Sequence, residues 1–190
     1  MLIKNKAVIQ SPLIVTEFLS HNSLKEKLIK LIEETEQSKE LKLKVNEVSK
    51  CDYDWSKDIK RDWLEYLLPK LTPHLTEVFT YLGYGAYEIK NIWFQRYIKN
   101  NIHDWHVHGD CQFTGVYYLE LPSDEDLKTE IIQPVDQKTK FSANVKEGDI
   151  LIFPSHVLHR AKRLKVDKKK IIISFNINVH IVDGQYPENY

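Results

Sequence analysis

The sequence predicts a mainly β fold of the α+β class, in which N-terminal helices support a sandwich or barrel of short antiparallel strands. Three observations carry this expectation. Apolar residues recur at helical spacing through the first 85 residues, the period shortens to two from residue 86 onward, and turn-forming residues then punctuate the chain at short intervals. A length of 190 residues fits a single domain, 1–190, with a helical support region over 1–85 and a β core over 86–182.

Asn22 or Ser23 can cap a first helix running to residue 37, with Leu24, Leu28, Leu31 and Ile32 on one face. Residues 42–48 alternate apolar and polar side chains, as a strand does. A second helical region spans 58–82, with Trp63, Tyr66 and Leu67 as a core stripe. Pro69 and Pro73 are expected to break it into two pieces. Strands follow over 87–99, 103–108, 112–121, 141–145, 149–153 and 170–182, separated by Asn100-Asn101, Gly109, Pro122-Ser123-Asp124, Glu147-Gly148-Asp149 and Pro154. Residues 123–140 read as a polar loop inserted at one rim. The last strand has the cleanest pattern. Ile171, Ile173, Phe175, Ile177, Val179 and Ile181 share one face, while Lys170, Ile172, Ser174, Asn176, Asn178 and His180 share the other. The first face suits packing against helices and the second suits a polar cavity.

The 27 basic and 27 acidic side chains cancel, which argues against a broad electrostatic footprint for nucleic acid. No apolar stretch is long enough to span a membrane, and the N-terminus lacks the apolar run of a secretory signal. Two cysteines, Cys51 and Cys111, make no disulfide framework, so a reducing, cytoplasmic setting is expected. Oligomeric state leaves no trace in the sequence.

Two histidine clusters about fifty residues apart carry the chemistry. The first is Trp105-His106-Val107-His108-Gly109-Asp110 and the second is Phe153-Pro154-Ser155-His156-Val157-Leu158-His159; Lys170 follows eleven residues later. Close imidazole and carboxylate groups, one remote histidine and a downstream cation suit a non-haem iron site that takes a dicarboxylate. In an extended strand Asp104, His106, His108 and Asp110 would share one face. His21, His74, His103, His156 and His180, taken singly, read as ordinary core or surface residues. Gln95 and Arg96 lie on strand positions before the cluster and suit either substrate contact or a structural role, and Trp105 suits the substrate entrance.

These residues resemble a known family. His106-x-His108, then Thr114-Gly115-Val116-Tyr117-Tyr118-Leu119, Gly148-Asp149-Ile150-Leu151-Ile152-Phe153-Pro154-Ser155, His159 and Ile173-Ser174-Phe175-Asn176 are similar, in order and spacing, to the 2-oxoglutarate- and Fe(II)-dependent oxygenases. The small bacterial and phage branch, related to prolyl hydroxylases, looks most similar. The resemblance covers residues 90–180. It implies a double-stranded β-helix (a jelly roll, cupin-like), an Fe(II) centre, 2-oxoglutarate as cosubstrate, O2, and hydroxylation of a peptidyl or small-molecule substrate. It also implies that His159 is the distal iron ligand and that Lys170 stands where an arginine usually pairs with the far carboxylate of 2-oxoglutarate. A lysine there keeps the charge but loses the bidentate fork. Ser174, Tyr118 and Tyr97 fall at positions that line the cosubstrate pocket. The usual first motif is His-x-Asp or His-x-Glu. His108-Gly109-Asp110 satisfies it literally, whereas spacing from Tyr97 and to Tyr118 favours His106 as first ligand with His108 at the carboxylate position. Both sets, His106/His108/His159 and His108/Asp110/His159, stay open, with Asp104 or Asp110 available to orient an imidazole. Two other functions stay open too: a cupin-like metal-dependent isomerase or lyase, and a non-catalytic structural (viral) protein on the same scaffold.

Overall fold

The computed structural model describes residues 11–37, 50–53, 59–123 and 127–180. In chain order the elements are β1 (Ile14–Glu17), α1 (His21–Glu36), β2 (Lys50–Cys51), α2 (Asp62–Tyr81), β3 (Ala86–Tyr97), β4 (His103–His106), β5 (Phe113–Glu120), β6 (Thr129–Ile132), β7 (Lys140–Ser142), β8 (Asp149–Pro154), β9 (His159–Ala161) and β10 (Lys170–His180). The strands form two antiparallel sheets. The major sheet runs β1-β8-β5-β10-β3-β2 and the minor sheet runs β4-β9-β6-β7. This is the expected jelly roll with helices on one face.

The division of β10 into two faces decides the layering. Ile171, Ile173, Phe175, Ile177 and Val179 are buried against Leu24, Leu28 and Ile32 of α1 and Trp63, Leu67, Leu71, Leu75 and Phe79 of α2. Each such side chain, fully buried, contributes roughly 1.5–3 kcal/mol. Ile172, on the opposite face, joins Tyr97, Val116, Tyr118, Leu151 and Phe153 of the major sheet and Ile131 and Ala161 of the minor sheet in a second core. His21 ties α1 to β5 through a 2.7 Å bond between its Nδ1 and the Tyr117 hydroxyl, and so has the structural role expected of it. Gly115 faces Phe175 in register. A Cβ at that position would lie 2.0 Å from the Phe175 ring, so only glycine lets the ring cover the strand.

Several expectations need correction. α2 is one helix, not two. Pro69 and Pro73 are both exposed, four residues apart on the solvent side. The carbonyls they leave without helical donors, those of Glu65 and Pro69, belong to exposed residues, where water can satisfy them. α1 begins at His21 with Ser20 as cap and without a side-chain cap bond; Ser23 instead donates back to the Ser20 carbonyl at 2.8 Å. The stretch 123–140 is not merely a loop. Thr129–Ile132 forms β6 at the centre of the minor sheet, with Thr129 and Ile131 buried. Four residues are too few to register as an alternating pattern. β1, β2 and β9 also went unread in the sequence, for the same reason. The strand expected over 42–48 lies outside the described residues. Among the described residues no helix is long and apolar enough to cross a membrane.

Candidate metal centre

The site lies between the sheets, where β4, β9 and the polar face of β10 meet. His106 pairs directly with His159 across β4 and β9. The register runs from His103↔Ala161 to His106↔His159, so three steps on β4 match two on β9. That extra residue is a bulge, and it breaks the period of two. His103 and His106 therefore share a face, with their rings stacked at 3.9 Å between centroids. Asp104 is turned to solvent and is exposed. The expectation that Asp104, His106, His108 and Asp110 share one face fails at this bulge. β4 ends at His106, and His108 reaches the site from the following loop. It is held there by its backbone N–H, which donates to the Ser155 carbonyl at 3.0 Å.

His106, His108 and His159 converge: one ligand nitrogen from each lies within 4.8 Å of the others. In each ring Nδ1 donates to an oxygen. His106 bonds the Asp104 carbonyl at 2.6 Å, His108 bonds Asn176 Oδ1 at 2.6 Å, and His159 bonds the Val157 carbonyl at 2.9 Å. With the proton on Nδ1, each ring keeps a lone pair on Nε2, and none of these Nε2 atoms has a hydrogen-bond partner among the described residues. Burial lowers the pKa of all three; His159, further opposed by the neighbouring His106, falls to about 3. Three neutral imidazoles with fixed tautomers and unshared lone pairs fit a divalent transition metal. Trp93 stacks on His108 with centroids 5.8 Å apart, and Phe153 meets His159 edge-on at 4.7 Å, so packing fixes both rings.

Asp110 does not join the trio. It is exposed, in a turn, with a left-handed φ of 56°. Asp104 does orient an imidazole, but through its backbone carbonyl; its carboxylate accepts from the Trp105 N–H instead.

The three imidazoles line a small cavity whose mouth opens to solvent. Ser174 and Tyr97 stand in its wall. Lys170 and Tyr118 stand one layer back, outside the lining residues. Tyr118 is joined to the wall by donating to Thr129 Oγ1 at 2.7 Å. Lys170 is 3% exposed; its ammonium donates to the Leu127 carbonyl at 2.6 Å and lies 4.8 Å above the Tyr97 ring. Burial, helped by Lys162, lowers its pKa to about 7. Among the described residues no carboxylate pairs with it.

Gln95 lies in the wall and accepts from the Tyr97 hydroxyl at 3.2 Å and from Ser174 at 3.4 Å. Arg96 points the other way, to Glu36 of α1 at 3.0 Å. Sequence reasoning missed the roles of four residues. His103 covers His106, Asn176 holds His108, and Thr129 and Arg160 complete the wall. Arg160 is paired with Glu130 at 2.6 Å and lies 4.4 Å over the Trp105 ring, which places Trp105 beside the cavity. The signals for Asn176 were its place on the polar face of β10 and in the Ile173-Ser174-Phe175-Asn176 run. The bulge that brings His103 in had no sequence signal.

Residues 91–176 match the sequence family described as "Putative 2OG-Fe(II) oxygenase". No curated protein sequence matches the chain. Solved structures with a similar fold include a Pseudomonas putida prolyl-4-hydroxylase, at TM-score 0.60 and 13% identity over 88% of this chain and 92% of that one. The viral collagen prolyl hydroxylase of Paramecium Bursaria Chlorella virus-1, solved with 2-oxoglutarate, has TM-score 0.57 and 17% identity over 90% and 96%. HygX of Streptomyces hygroscopicus, solved with nickel, 2-oxoglutarate and hygromycin B, has TM-score 0.63 and 12% identity over 89% and 83%. At these identities the structures speak for the fold, and the family match speaks for the segment that contains all three imidazoles and Lys170. Residues 91–176 thus match the sequence model of a 2-oxoglutarate- and Fe(II)-dependent oxygenase family, within a chain whose fold is similar to those solved structures.

Proposed function

We propose that this chain is an Fe(II)- and 2-oxoglutarate-dependent dioxygenase that hydroxylates a peptidyl or small-molecule substrate and releases succinate and CO2. One observation carries the reading. Three imidazoles whose Nε2 lone pairs meet no hydrogen-bond donor among the described residues converge on one point, and an ammonium that meets no carboxylate among those residues is buried in the same interior.

In this reading His106, His108 and His159 hold Fe(II) through Nε2, and residues 1–85 support a catalytic core over 86–182. Bound Fe(II), with 2-oxoglutarate and O2, supplies the oxidising power that puts a hydroxyl on a C–H bond while the cosubstrate loses CO2. The chain's own residues do the rest. Asn176 and the carbonyls of Asp104 and Val157 keep each Nδ1 protonated, so that each ring offers its lone pair inward. Lys170 exchanges the Leu127 carbonyl for the far carboxylate of the cosubstrate, and the incoming negative charge draws its proton back. The Tyr97 and Ser174 hydroxyls, now both turned to Gln95, are placed to donate to the same molecule. Trp93, Val116 and Ile172 in the wall keep the interior poor in water.

Anaerobic addition of 2-oxoglutarate to the Fe(II)-loaded protein tests this. A weak visible charge-transfer band is expected, followed by succinate on admission of air. Metal binding without band or succinate would favour the isomerase or lyase reading, in which the burial of Lys170 has no purpose. Normal metal content in His159→Ala would defeat the ligand assignment.

A further inference from the structure

We infer that this centre recruits one exogenous monoanion more than a two-histidine, one-carboxylate centre does. The inference rests on the proposed ligand set and on what surrounds it. All three candidate ligands are imidazoles, which bind a metal as neutral rings through Nε2 while Nδ1–H is held by an oxygen. The three atoms that accept those Nδ1–H bonds, two backbone carbonyls and the amide oxygen of Asn176, are neutral as well. In many metal sites a carboxylate behind the histidine shares the charge, and here none does.

The acidic side chains nearby are committed or remote. Asp104 is exposed and accepts from the Trp105 backbone, Asp110 is exposed in its turn, and Glu130 is paired with Arg160 at 2.6 Å. Arg160, in the wall, is neutralised by that Glu130, and Lys170, behind the wall, is reserved in this reading for the far carboxylate of the cosubstrate. The charge count follows. A divalent ion facing one protein carboxylate and the α-carboxylate of 2-oxoglutarate is neutralised. Facing His106, His108 and His159 with the same cosubstrate, it keeps one positive charge in a buried, low-dielectric site. An excess charge there attracts a monoanion far more strongly than it would in water. The ligand class is therefore a small anion: a free halide, or a carboxylate carried by the substrate.

Azide titration of the Co(II)-loaded protein, with 2-oxoglutarate present, tests this by the visible d–d bands of cobalt. Saturable azide binding is expected in the native chain. In His108→Asp, which restores a carboxylate, the affinity should fall about tenfold or more. Thermal melting and cobalt stoichiometry of that variant establish that it is folded and loaded. If it is not, the native titration still decides, since a spectrum unmoved by azide overturns the inference by itself. Equal azide affinity in a folded, loaded His108→Asp also overturns it. Failure of the native chain to bind cobalt sinks both this inference and the ligand assignment beneath it; cobalt binding without an azide response sinks this inference alone. Chloride and acetate are then competed against azide. Stronger displacement by acetate assigns the position to a substrate carboxylate, and stronger displacement by chloride to a free halide. Displacement by neither confines the affinity to azide and rejects the inference.

Discussion

His108 and Asn176, far apart in sequence, are joined by a 2.6 Å hydrogen bond from imidazole Nδ1 to amide Oδ1. His108 comes from a loop, whereas Asn176 is 5% exposed in the longest pairing of the major sheet. The rigid partner thus positions the loop residue. Thr114 Oγ1 donates to the same oxygen at 3.3 Å, which fixes the amide so that its oxygen faces the ring. Replacing Asn176 by Ala removes that anchor while His106 and His159 keep theirs. Metal affinity is expected to fall about 10–100-fold, with far-UV circular dichroism unchanged. Equilibrium dialysis against Co(II) or Fe(II) measures it, and native affinity in the variant would deny Asn176 this role.

Lys170 should make cosubstrate binding take up a proton. Its folded pKa of about 7 lies below the ordinary lysine value, so at pH 8 the free protein holds it mostly neutral. A carboxylate beside it favours the charged form. Calorimetry of 2-oxoglutarate binding at pH 8, in buffers of different ionisation enthalpy, should show close to one proton taken up, and affinity should weaken as pH rises from 7 to 9. The linkage has a second face. Between about pH 7 and the unfolded value near 10.5, the unfolded chain carries the proton and the folded chain does not, so stability of the apoprotein rises across that window. Lys170→Met removes both effects and abolishes the proton uptake. It stabilises the apoprotein at neutral pH by about 2 kcal/mol, because a buried, poorly compensated charge is replaced by an isosteric apolar chain. A variant that still takes up a proton would show that another group is responsible.

What the sequence made legible follows from period and length. β10 spans 11 residues, so its two faces, one for the helices and one for the cavity, could be read directly. The convergence of His106, His108 and His159 was legible as a choice between two ligand sets, because residue types and order survive local irregularity. The bulge in β4 was not. It depends on how β4 meets β9 across the sheet, a non-local pairing that one strand's sequence does not encode. It turned Asp104 outward and brought His103 in. Thr129 and Leu127, which touch Tyr118 and Lys170, lay in a stretch too polar and too short to read as part of a sheet. Lys170 was legible as a cation on the cavity face of its strand. Its place one layer behind the wall was not, because that depends on where Tyr97 and Leu127 pack.

Gly115 is a point where the helix-facing core tolerates no added atom. The Phe175 ring already occupies the space a Cβ needs, at 2.0 Å from Cε2, and Phe175 is itself fully buried against the helices. Gly115→Ala is expected to destabilise the fold by about 3 kcal/mol through overpacking. Pairing it with Phe175→Leu, which frees the space, should recover part of the loss in chemical denaturation. The two changes are then non-additive, as expected for residues in contact. Simple additivity would mean that the backbone moves aside and the close approach carries little energy.

The imidazole trio also sets an acid limit on the apoprotein. Burial holds the pKa of His106, His108 and His159 below the ordinary value of 6.5, that of His159 near 3. Below pH 6.5 the unfolded chain binds protons that the folded chain refuses, so stability falls as pH falls, and for His159 it keeps falling toward pH 3. Each ring forfeits about 1.4 kcal/mol per pH unit within its own window. Urea denaturation of the apoprotein between pH 7.5 and 4.5 should show this slope, and His159→Leu should flatten it by removing the ring with the widest window. Bound metal steepens the same dependence. Above pH 6.5 a saturating divalent ion stabilises the native chain by mass action. That gain shrinks on acidification, as protons compete for the same Nε2 lone pairs. If the native chain and His159→Leu lost stability in parallel down to pH 4.5, the acid limit would belong to the carboxylates elsewhere in the fold, and the imidazoles would not be the buried neutral set that metal binding requires.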